Sequence, residues 1–145
     1  MLNAEDHLEG LYRGVIMDHY RRPRNRGSLD GPGTVAEGKN PLCGDSVRFE
    51  MVVQDGLVEK IVFDGHGCAI SISSASMLTE LLSGKTVDEA RALIGKVADF
   101  LKGDGSDVDE EELGDVAALE GVAKFPVRIK CALLPFVAVR DALDG

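Results

Sequence analysis

Three cysteines and one aspartate are the residues of this chain best suited to chemistry. Cys43 sits in "NPLCGDS", Asn40 to Ser46, with Asp45 two residues on; Cys68 sits in "GHGCA" and Cys131 in "RIKCALL". Free cysteine usually behaves as a small buried hydrophobe, yet Cys43 lies in a polar, turn-prone stretch beside a carboxylate. Three thiolates and one carboxylate are a reasonable tetrahedral zinc set, with sulfur at about 2.3 Å and carboxylate oxygen at about 2.0–2.2 Å. Most structural zinc sites use only cysteine and histidine. Asp45 as fourth ligand would be harder and more easily displaced, which suits a site meant to open. The spacing alone equally allows three unrelated cysteines, two of them packed in a core. His66, two residues before Cys68, is a rival ligand, although a histidine in a glycine turn is more often a surface residue. His7 and His19 fall on the first expected helix and read as structural.

The elements around these residues would bring two of the cysteines together. Val47, Phe49, Met51 and Val53 alternate with other residues, and Leu57, Ile61 and Phe63 do so after Asp55-Gly56. An Asp-Gly pair between alternating runs is a strong hairpin signal, so Ser46 to Asp64 is expected to be an antiparallel hairpin. Its outer ends must then meet, placing the loop of Cys43 beside the turn of Cys68. Cys68 opens a helix rich in serine and alanine, and Cys131 falls near the start of a last helix beginning near Arg128. The N-terminal partial charge of a helix favours a thiolate at both.

The remaining chain reads as scaffold. Leu8, Leu11, Val15 and Ile16 have helical spacing over residues 6–20. "RRPRNRG", residues 21–27, ends that helix, either as a helix cap with a solvated loop or as a docking patch for an acidic partner. Residues 28–44 read as loop with a short strand around 34–37. A second long helix spans 87–101, with Thr86 as N-cap and Glu89 completing a capping box. The acidic run 102–115 reads as loop or short exposed helix outside the core. Pro135 lies inside the last helix and is expected to kink it or break an early turn.

Length, composition and charge set the limits. A chain of 145 residues suits one domain over 1–145, and 44% hydrophobic residues permit a real core. Aromatics make up only 5%, so aliphatic side chains must fill it. The net charge of −9 argues against nucleic acid, which needs a basic footprint, and against an anionic membrane surface. No apolar run of about 18 residues suggests a membrane span, and the acidic N-terminus does not read as a secretory signal. A cytoplasmic chain with reduced thiols is the expectation. An odd cysteine count without a CxxC pair leaves metal binding or thiol chemistry.

"NPLCGD", "GHGCAISISSASMLTELLSGKT" and "FPVRIKCALL", taken together and in order, resemble the IscU/NifU-type iron–sulfur cluster scaffold family. Three features are similar to its SufU branch. Lys130 stands where IscU-type members carry a histidine, and "FPVRIK" stands where they carry the chaperone-binding "LPPVK". The acidic segment 103–122 looks like the insertion of SufU-type members. "CALLPF" departs from relatives in having proline after the cysteine.

The resemblance implies an α+β fold, with a small antiparallel sheet of about three strands and helices packed on one face. It implies Cys43, Asp45, Cys68 and Cys131 as zinc ligands, and a SufS-type PLP-dependent cysteine desulfurase as partner. It further implies that Cys43 accepts sulfur, that Arg128 works with the desulfurase, and that a downstream SufBCD-type scaffold complex receives the sulfur. The chain would then be a sulfurtransferase: zinc keeps Cys43 as a protected thiolate, and a partner histidine could replace it on the metal. The freed thiolate would attack the donor's persulfide, an exchange governed by thiolate character and access. Two rivals follow. The same thiolates could hold a [2Fe-2S] cluster for assembly and transfer, although the missing histidine counts against this. A purely structural zinc module recruiting partners by its acidic face is the other.

Overall fold

Apolar alternation and turn chemistry build the sheet that positions the site. The computed structural model of the chain describes residues 4–31, 33–40, 44–102 and 110–144. Three antiparallel strands, β1 (Thr34–Asn40), β2 (Asp45–Gln54) and β3 (Leu57–His66), stand in that order in one sheet. Asp55 and Gly56 turn β2 into β3, both at positive φ (54° and 76°), as the expected hairpin requires. β1 is longer than the short strand expected from sequence, and pairs along its whole length from Thr34↔Met51 to Asn40↔Asp45.

Val47, Phe49, Met51, Ile61 and Phe63 point into the core, as their alternation predicts. Leu57 does not follow. The register shifts between Val52 and Val53, so Glu59 is an extra residue and Val53 pairs with Val58. Val58, at 1% exposure, takes the inward place expected for Leu57. A bulge of this kind flips the pattern of every residue beyond it, and nothing in the alternation marks where it falls.

The helices cover the inward face. α2 (Ala69–Leu82) packs on β3 and β2, and α5 (Pro126–Asp144) on β1 and β2. Gly38 lets α5 come close, for a Cβ there would lie 3.0 Å from Leu134 Cδ1 and 3.1 Å from Ala138 Cβ. α1 (Ala4–Arg21) lies against α2, and α3 (Val87–Leu101) against α5. α3 carries the expected capping box between Thr86 and Glu89. The outward face of the sheet is charged, with Arg48 bonded to Glu37 at 2.7 Å.

Two expectations need correction. α5 starts at Pro126, a favoured first helical residue, and Pro135 does not break it, for the helix runs on to Asp144. Pro135 removes one donor from the ladder, but its ring is buried and the packing of α5 holds the helix together. The acidic run 102–115 is not all outside the core. Residues 103–109 lie outside the described residues. α4 (Glu110–Leu113) is a short helix with Glu111 and Glu112 exposed, as expected, but Leu113 is buried. Past the run, in the 3₁₀ helix Gly114–Lys124, Val116, Leu119 and Val122 join the same hydrophobic core.

α2 crosses the interior with Ser71, Ser73, Ser74, Ser76 and Thr79 all buried. Each finds a partner, because a buried hydroxyl without one is costly. Ser73 Oγ donates to the Ile16 carbonyl (2.7 Å) and Ser74 Oγ to the Ala132 carbonyl (2.6 Å). The small hydroxyl side chains thus staple α1 and α5 to the central helix.

Candidate metal centre

The hairpin brings its two ends together as expected. Asp45 is the first residue of β2, and Cys68 lies just beyond β3, where Ser46 pairs with His66. Cys68 is the N-cap of α2, its Sγ accepting from the Ser71 N–H at 3.4 Å. Cys131, in the second turn of α5, completes the group. One ligand atom each from Asp45, Cys68 and Cys131 all lie within 4.8 Å of one another. Cys43 lies outside the described residues.

The setting is dry on two sides. Asp45 is 2% exposed and Cys131 fully buried, while Cys68 is half-buried. Asp45 Oδ1 accepts from the Cys68 main-chain N–H at 2.8 Å, which leaves Oδ2 facing Cys68 Sγ at 3.9 Å. Gly67 makes this fit possible: a Cβ there would stand 2.3 Å from Asp45 Oδ1 and 2.6 Å from Ser71 Oγ. Cys131 Sγ lies 3.7 Å from the Val127 carbonyl.

A buried carboxylate beside two thiols is an expensive arrangement without a cation to balance it. Two sulfurs and a carboxylate oxygen are three of the four donors of a tetrahedral zinc site. The residues therefore fit a metal ion. His66 is exposed and outside the group, as a surface residue of the turn should be. Arg128 is exposed on α5, three residues before Cys131, with no ion-pair partner among the described residues. Gly67 and Ser71 went unnoticed in the sequence. The glycine-rich turn and Ser71's place three residues into a helix were the only signals for them.

A second group, His19, Glu80 and Asp115, also converges, but hydrogen bonds close it. His19 is fully buried, with Nδ1 2.7 Å from Ser76 Oγ and Nε2 2.8 Å from Asp115 Oδ2. Ser76 Oγ also accepts from the Arg24 N–H (2.8 Å), so the ring of His19 joins α1 to α2 and to Asp115. This is the structural role expected of His19; the side chain of His7 lies outside the described residues. Two of the four arginines in the 21–27 stretch are tied down, and Arg21 and Arg22 are exposed. Arg24 bonds Asp18, and Arg26 bonds Asp64 and the Gly65 carbonyl. The Asp18 carboxyl is held below the usual carboxylate range, chiefly by its hydrogen bond to Arg24.

Fold and site together define a small α+β domain that gathers two cysteines and an aspartate, a group able to hold a metal, at one end of a three-stranded sheet. Residues 11–132 match the NifU-like N terminal domain family, and the chain belongs to that family. It is 45% identical to the zinc-dependent sulfurtransferase SufU of Bacillus subtilis (strain 168), over 94% of this chain and 91% of that one. It is 40% identical to the iron-sulfur cluster assembly scaffold protein IscU of Streptococcus pyogenes serotype M1, over 94% of this chain and 84% of that one. Among solved structures, a putative scaffold protein for the SUF system from Fervidobacterium islandicum AW-1 superposes with a TM-score of 0.82 at 33% identity, covering 89% of this chain and 93% of that one. No helix of the described residues is long and apolar enough to cross a membrane.

Proposed function

We propose that the chain is a zinc-dependent sulfurtransferase of iron–sulfur cluster biogenesis. It accepts sulfur on Cys43 from a SufS-type PLP-dependent cysteine desulfurase, and the sulfur goes on to a SufBCD-type scaffold complex. The observation that carries this reading is the convergence of Asp45, Cys68 and Cys131, with Cys43 two residues from Asp45 in sequence. The similarity to SufU supports it.

Cys43, Asp45, Cys68 and Cys131 would hold the zinc. Bound there, zinc keeps cysteine sulfur deprotonated and shields it from oxidation. The chain's own residues do the rest. Asp45 is fixed by the Cys68 N–H and Cys131 is fully buried, so these two are the anchored members. Cys43 is the acceptor. Its thiolate attacks the outer sulfur of the donor's cysteine persulfide; the donor's S–S bond breaks, its cysteine leaves as a thiolate, and Cys43 carries the new persulfide. Arg128, exposed beside the site, anchors the donor protein. A reducing compartment such as the cytoplasm suits this chemistry.

The test pairs metal analysis with desulfurase turnover. One zinc per chain and no iron are expected, with strong stimulation of turnover that Cys43→Ser abolishes. A Cys43→Ser protein that stimulates normally would sink the reading. The second reading is a [2Fe-2S] scaffold, favoured by the IscU relatives but set back by Lys130 in place of a histidine. Iron with bound sulfide, and little stimulation, would establish it instead.

A further inference from the structure

The two most exposed large apolar side chains of the described residues are Phe125, at 61%, and Val127, at 64%. Single exposed hydrophobes are ordinary. These two stand two residues apart, at the entry to the helix that bears Cys131. Val127 precedes Cys131 by one helical turn, its main-chain carbonyl 3.7 Å from Cys131 Sγ and its side chain directed to solvent.

The backbone beneath them is hydrogen-bonded on both sides of Phe125. The Phe125 N–H donates to the Val122 carbonyl (2.9 Å), and the Phe125 carbonyl accepts from the N–H groups of Arg128 (2.8 Å) and Ile129 (3.1 Å). Pro126 fixes the first helical position. An exposed aromatic ring whose main chain is already hydrogen-bonded has less to order when a partner covers it. The charge here also opposes that of the whole molecule. Arg128 and Lys130 are exposed and have no ion-pair partner among the described residues, in a chain of net charge −9. An aromatic anchor next to an arginine, with a basic rim, is the composition of an interface centre.

We propose that Phe125 and Val127 are the apolar anchor by which the sulfur-donor protein docks, presenting a carboxylate-rimmed apolar pocket that also receives Arg128 and Lys130. This rests on the function proposed above and gives that function its docking surface. Docking at the start of α5 sets the donor against the Asp45–Cys68–Cys131 group, because Val127 is one helical turn from Cys131.

The test is desulfurase turnover titrated with zinc-loaded Phe125→Ser/Val127→Ser protein, beside wild type. Both side chains are exposed, so zinc content and thermal unfolding should match wild type. The half-saturating concentration should rise about tenfold or more, as expected for loss of an interface anchor, while stimulation at saturation is kept. A half-saturating concentration within twofold of wild type would overturn the docking surface and leave the sulfurtransferase reading standing. Wild-type protein that does not stimulate the desulfurase at all would overturn both.

Discussion

Asp45 shows how a few contacts decide what a residue can do. Its Oδ1 is committed to the Cys68 N–H, and its Oδ2 faces Cys68 Sγ, where the proposed zinc would meet both. Gly67 guards that arrangement, because any Cβ would collide with the carboxylate. Gly67→Ala is therefore expected to push Asp45 aside and lower zinc affinity about 10- to 100-fold, the usual effect of disturbing the groups behind a metal ligand. Competition against a chromophoric chelator would read this. An unchanged affinity would mean that Asp45 is not a ligand. The pairing of Asp45 with Cys68 was legible in the sequence, because an Asp-Gly hairpin forces its ends together. The parts of Gly67 and Ser71 were not, because they depend on a close approach that only the packed turn creates.

At the scale of elements, the acidic segment is the most informative departure. Its charges suggested solvated chain over 102–115, yet Leu113 is buried there, and Val116, Leu119 and Val122 just beyond it are core residues in a 3₁₀ helix that packs on α1, α3 and α5. The Asp115–His19 bond ties the same segment to α1. Leu119→Ala is expected to destabilise the fold by about 2–5 kcal/mol, as for other buried leucines, measured by denaturant unfolding. A loss below about 0.5 kcal/mol, the range of surface substitutions, would show a loosely laid surface flap. Strongly periodic elements were legible: α3 with its Thr86–Glu89 box, the hairpin, and α1. The bulge at Val52/Val53 and the continuity of α5 through Pro135 were not, because neighbouring elements decide both. In each case tertiary packing outweighs a local preference.

The whole molecule is acidic, and among the described residues Phe125, Val127, Arg128 and Lys130 form a basic, apolar corner at the start of the helix that bears Cys131. This asymmetry suits a protein that meets one kind of partner in one orientation, since complementary charge fixes register and speeds encounter. Transfer of a single sulfur atom needs such a meeting, because the donor persulfide must come within reach of one thiolate. The central claim is that Cys43 is that thiolate. The most direct measurement is peptide mass mapping of the zinc-loaded chain after incubation with the desulfurase and cysteine, with thiols and persulfides trapped by alkylation. The account expects one added sulfur on the peptide bearing Cys43 and none on those bearing Cys68 or Cys131. Sulfur on Cys68 or Cys131, or on no cysteine while turnover is stimulated, would contradict it.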